Sequence, residues 1–196
     1  MKKTILLFPV TNIRVLFSSF IILLAMMTIN CGKGRNEIIS DAAPSSALPA
    51  AANSANGFGG YHNLSRKTLE ELQAAKGATA RYSNFEKAVR DGYIDINVII
   101  PEMGYHYLLV DRLDSEFDPA KPEILVYNRE EKGRMKLVAV EYAVPLALSP
   151  AAPSGFSGTA DVWGVYQNTL WTLHAWVWEY NPAGVFNPTN PLVHVH

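Results

Sequence analysis

A single cysteine, Cys31, in a chain of 196 residues excludes an internal disulfide, so the fold must be held by its core. Clustered lysine and arginine are also missing: 17 cations are spread along the chain against 18 acids. Without a basic patch to neutralise phosphates, nucleic acid is excluded as a partner, and so is an anionic lipid surface gripped by the folded part. There is no glycine-rich phosphate loop, no Gly-x-Ser-x-Gly elbow and no cysteine nucleophile beyond residue 31. No two histidines have the local His-x-x-x-His spacing of a helical metal site. Asp111, Asp114, Glu116 and Asp118 lack the glycine and terminal glutamate of a calcium loop and read as a solvated segment. An uninterrupted apolar run of spanning length is lacking too. Val15 to Ile29 is about 15 residues, short of the roughly 20 that a spanning helix needs.

What the N-terminal region does contain is Lys2, Lys3 and Arg14 around that apolar run, the pattern of a secretory signal over residues 1–30. A retained membrane anchor is the alternative. The run Met26-Met27-Thr28-Ile29-Asn30-Cys31-Gly32 resembles a bacterial lipoprotein signal, with Asn30 where a smaller residue is usual and Thr28 where leucine is usual. The resemblance implies cleavage before Cys31 and acyl chains on its sulfur. The expected location is the bacterial cell envelope, on the outer side of the cytoplasmic membrane or on the outer membrane. Loss of the leader would leave 14 cations against 18 acids, a net charge of −4. Residues 31–60 are rich in Ala, Ser, Pro, Asn and Gly and read as a disordered tether, with too little apolar surface to offset its ordering entropy.

Residues 61–193 carry the pattern of one domain, followed by a tail over 194–196 in which His194 and His196 flank Val195. Helices are expected first. Ser65 or Thr68 can cap one that Gly77 weakens or ends, and Ser83-Asn84-Phe85-Glu86 opens a second that stops at Gly92. Strands are expected at Ile94–Ile100, Tyr105–Val110, Glu123–Tyr127, Lys136–Val144 and along the run that begins at Leu170. The segment Asn128–Arg134 gives the best hairpin signal, and Pro145–Gly158 reads as a mobile flap. The Asn-Pro pairs at 181, 187 and 190 read as turns. The fold class is therefore α+β: N-terminal helices packed on a curved, mostly antiparallel sheet of about five strands.

The stretch Leu170 to Pro182 holds three of the four tryptophans and His174. Period two puts His174 on one face with Thr172, Trp176, Trp178 and Tyr180. His174 reads either as a core histidine bonded to backbone or tyrosine, or as a ligand or proton carrier in an aromatic pocket. Glu141, inside an apolar strand, either faces water or needs a cation, which His106 or His174 on neighbouring strands could supply directly or through a metal. Met103 stands just before His106, and a thioether would favour copper(I) where two histidines and a carboxylate suit zinc, iron or copper.

Gly104-Tyr105-His106-Tyr107, Val140-Glu141-Tyr142 with Pro145, and Leu173-His174-Ala175-Trp176-Val177-Trp178 with Asn181-Pro182 together resemble an uncharacterised family of secreted bacterial proteins. That resemblance implies no activity, but places His106, Glu141 and His174 inside the motif blocks. The expected function is a lipid-anchored extracytoplasmic domain that binds a small ligand or a divalent transition metal in a pocket lined by Trp176, Trp178 and Tyr107. The alternatives are an enzyme with His174 as base or metal ligand and Glu141 as its partner, or a structural envelope lipoprotein whose aromatics are core.

Overall fold

A computed structural model describes residues 58–195. Cys31 and the leader and tether readings around it lie outside the described residues. Helix α1 spans Arg66–Thr79 and starts where the Ser65 side chain accepts from the Thr68 backbone N–H. Gly77 does not end it. Glu71 accepts from the backbone N–H and the hydroxyl of Ser157 and so fastens the 146–163 loop to the helix. After a 3-10 turn at Ala80–Ser83 comes the short α2, Phe85–Arg90, with Gly92 at φ 100° as its stop.

The strands are β1 Ile94–Ile100, β2 Gly104–Leu108, β3 Ile124–Arg129, β4 Met135–Pro145, β5 Gly164–Tyr166 and β6 Leu170–Ala175. They form one sheet in the order β1-β2-β3-β4-β6-β5, every neighbour antiparallel. The expected β3–β4 hairpin is present, turning at Gly133 with φ 78°. The sheet thus has six strands rather than five. The sixth, β5, is three residues long and turns into β6 through Gln167 and Asn168, both at positive φ. That turn uses the geometry that Asn-Gly usually signals, but with residues that do not advertise it. The α+β class stands, and within the described residues the helices precede the strands.

Both faces of the sheet are covered. One carries Tyr105, Tyr107, Leu125, Tyr127, Leu137 and Leu173, and packs on Leu72, Ala75, Tyr82 and Ala88 from the helical segment. Phe85 sits edge-on to Tyr107 and Tyr127, and the Tyr127 hydroxyl donates to the Tyr82 carbonyl. The other face carries Ile124, Val126, Ala139, Ala143 and Trp176, and is capped by Val193 from the C-terminal segment. That segment is held by Asn side chains: Asn181 donates to the Thr189 carbonyl, Asn190 to the Tyr180 carbonyl, and the Asn190 N–H to the Glu102 carbonyl. The Asn-Pro pairs are therefore turns, as expected, but both Asn181 and Asn190 are fully buried. Phe58 is also buried, so the packed region begins before residue 61.

Gly104 opens β2 two residues before His106, at φ 118°, and a Cβ there would lie 2.4 Å from the Tyr127 carbonyl oxygen. Backbone strain and a backbone clash would then act together. Gly104→Ala is expected to cost about 2–4 kcal/mol, read as a lower urea midpoint at unchanged slope.

Candidate metal centre

Glu141 lies in the middle of β4, opposite Ile124 of β3 on one side and His174 of β6 on the other. His106 is one strand further out, on β2, opposite Val126. Alternation along the strands turns all three toward the face away from the helices. Their residues are 2%, 6% and 4% exposed for His106, Glu141 and His174, so none faces water. This settles one of the two readings of Glu141: it is not a solvent-facing strand residue.

His106 Nε2 lies 3.6 Å from Glu141 Oε2, and His174 Nδ1 lies 3.4 Å from Glu141 Oε1. The rings of the two histidines are nearly perpendicular, with centroids 5.8 Å apart. One ligand atom from each of the three residues lies within 4.8 Å of the other two. The 3.4 and 3.6 Å separations are longer than the usual hydrogen-bond range of about 2.7–3.2 Å. They match the edge of a tetrahedral site, where bonds of about 2.0–2.1 Å hold ligand atoms roughly 3.4 Å apart.

The groups around the three residues orient them. His106 Nδ1 is 3.0 Å from the Val98 carbonyl, so Nδ1 carries the hydrogen and the Nε2 lone pair points at Glu141. Thr172, two residues before His174 on the same face, lines the same cavity as Glu141, and its hydroxyl favours the ionised carboxylate. His174 stacks on Trp176 with centroids 6.1 Å apart and 22° between planes. Its Nε2 has no protein partner, which departs from the reading of a core histidine satisfied by backbone or tyrosine.

Burial sets the charge of the cluster. Desolvation pushes the Glu141 carboxyl up to about 8, against a smaller opposing pull from the Thr172 hydroxyl. Desolvation, and after it the nearby His106, brings His174 down to about 3. His106 is also lowered by desolvation, in part offset by its backbone hydrogen bonds. At neutral pH the three groups together are therefore uncharged, a set of lone pairs with one displaceable proton on Glu141.

A cavity of about 70 Å³ adjoins the cluster. His106, Glu141 and Thr172 form its polar wall, Met103 lies at its edge, and Ile100 and Leu170 belong to its apolar wall. Met103 thus shares a cavity with two of the three candidate ligands. The aromatic pocket expected from Trp176, Trp178 and Tyr107 does not form. Tyr107 faces the helices, against Phe85 and Tyr127. β6 ends at Ala175, so the alternation that would have carried Trp178 beside His174 stops. Trp178 donates instead to the Thr79 hydroxyl and lies under the Lys76 ammonium. Only Trp176 remains at the cluster, anchored by its indole N–H on the Asn187 carbonyl.

Two elements of this centre carried no sequence signal: the Val98 carbonyl and the cavity. Outside the cluster lies a second buried acid, Glu123, which accepts from the Ala143 N–H and is pushed up to about 7 by desolvation. Thr172 could have been found, since period two already placed it beside His174. Compared with known proteins, the chain matches no family model, no curated protein and no solved structure.

The buried acids and imidazoles give the metal-free protein a defined pH response. Groups pushed up by burial bind more protons folded than unfolded, so Glu141 and Glu123 lose stability as pH rises from their ordinary 4.5 to about 8 and about 7. The lowered histidines act oppositely, but their effect ends at their ordinary value of 6.5. From pH 6.5 to 8 the glutamates dominate, and the metal-free protein is expected to become less stable. Glu141→Gln should flatten the fall in urea midpoint across that window. An unchanged slope would mean that Glu141 is ionised throughout.

Proposed function

We propose that the domain binds one divalent transition metal ion through His106, Glu141 and His174. The observation that carries this reading is the spacing: Glu141 stands 3.4 and 3.6 Å from the two imidazoles, beyond the usual hydrogen-bond range, and one ligand atom from each of the three buried residues lies within 4.8 Å of the others. Two imidazoles and a carboxylate are the donor set of zinc, iron and copper sites. The Val98 carbonyl supplies the outer hydrogen bond of His106, while the outer nitrogen of His174 has no protein partner. Binding displaces the Glu141 proton, so the ion enters a neutral cluster and leaves it with a net charge of +1. Met103 at the cavity edge keeps copper(I) among the ions to be tested.

The proposal extends to where the domain works. Cys31 follows an apolar leader of secretory length, and on this reading it is acylated and tethers the domain to the bacterial envelope. Cys31→Ser is expected to abolish metabolic labelling by a fatty acid. Labelling that survives the substitution would remove the lipid anchor from the reading.

Metal content measured on the purified full-length protein tests the site. Near-stoichiometric zinc, iron or copper is expected, and cobalt(II) should give the visible bands of a low-symmetry site. His174→Ala and Glu141→Ala should each weaken binding by more than the roughly 10–100-fold lost with an outer-shell partner. Because a proton on Glu141 competes, affinity should fall about tenfold from pH 7 to pH 6. A protein that stays metal-free after equilibration with each ion would leave the cluster as a core network only.

A further inference from the structure

The cavity beside the cluster has a composition that the metal reading alone does not require. An ion held by three protein groups keeps coordination positions for other ligands. His106 and Glu141 form part of the wall of the 70 Å³ cavity and His174 does not. Free positions on the side of those two ligands therefore open into it. A volume of about 70 Å³ suits a small ligand better than a bulky organic co-substrate. Ile96, Val98, Ile100, Ile124 and Leu170 make most of the remaining wall.

Resting on the metal reading, we infer that the cavity is the binding chamber for a small uncharged diatomic gas, such as dioxygen or nitric oxide, coordinated to iron(II) held by His106, Glu141 and His174. A two-histidine, one-carboxylate set with open positions is a donor arrangement that iron(II) uses to take up such gases. The wall is apolar apart from His106, Glu141, Thr172 and Tyr166, and such a lining favours a ligand that needs no hydration.

Nitric oxide is the probe. The full-length protein, loaded anaerobically with iron(II) and exposed to nitric oxide, is expected to give the half-integer-spin EPR signal of an iron–nitrosyl. Ile100→Phe and Leu170→Phe each push a ring toward the cavity without touching a ligand. Each should keep the iron stoichiometry and weaken nitric oxide binding at least tenfold. Two variants are used because either ring alone could disturb packing. Iron bound with no nitrosyl signal overturns the inference and leaves the metal site standing. So does unchanged nitric oxide affinity in both filled variants, azide binding as tight as that of nitric oxide, or a site that takes zinc or cobalt but refuses iron(II). A protein that binds no metal at all overturns the metal reading, and this inference with it.

Discussion

A carboxylate in the middle of a sheet with both faces covered is the constraint on which the rest depends. Glu141 has neighbouring strands on both sides, helices behind β4 and the C-terminal segment in front. Removing a carboxylate from water without a partner costs several kcal/mol even after relaxation. Its neighbours answer that cost in three ways: a hydroxyl from Thr172, an imidazole from each flank, and a protonation state pushed toward the neutral acid. None of the three needs a cation in the protein itself. No lysine or arginine contacts the Glu141 carboxylate among the ion pairs of the described residues; its charged-group contacts there are the two histidines.

The two faces of the sheet divide the work. Tyrosines and phenylalanines fill the helix side, and their hydroxyls end on backbone carbonyls, as Tyr127 does on Tyr82 and Tyr142 on Pro119. That side is a packed core, and it absorbs Tyr107. The opposite side is covered by an irregular segment pinned by buried asparagines, with β1 curling over its outer strands. β1 breaks register between Asp95 and Ile99, with Asn97 at φ 55°. The bulge leaves Ile96, Val98 and Ile100 facing the cavity and brings the Val98 carbonyl to His106. A regular edge strand would have spent that carbonyl on the ladder.

Period-two patterning made the long elements legible, because β4 and the β3–β4 hairpin alternate or run apolar over enough residues to fix both type and register. The same patterning brought Glu141, His106 and His174 onto one list, since each interrupts an apolar strand. It failed where the chain stops alternating. β6 ends at Ala175, and the Trp176 backbone N–H donates to the Val185 carbonyl rather than to a strand partner. From there the sequence still looks like a strand, yet Trp178 turns to the helices. β5 was invisible for the opposite reason: three residues and a Gln-Asn turn carry too little pattern. Outer-shell groups such as the Val98 carbonyl belong to the backbone and leave no residue-type signal at all.

The spacing within the cluster separates a core network from a metal site more sharply than residue type does. In a network built for its own hydrogen bonds, burial draws donors and acceptors to about 2.8–3.0 Å, because each unmade bond in a dry interior costs on the order of 1–3 kcal/mol. Several other buried polar side chains obey that rule: Trp178 to Thr79 is 3.0 Å, Tyr142 to Pro119 is 2.8 Å and Glu123 to Ala143 is 3.0 Å, whereas Asn128 Oδ1 and Trp163 Nε1 have no partner. His174 and Glu141 are directly opposed on adjacent strands and still stand 3.4 Å apart. Apolar residues of similar volume at the three positions would remove the polar cost altogether. Three polar groups that neither close on one another nor give way to apolar packing are the arrangement on which the proposed shared ion rests.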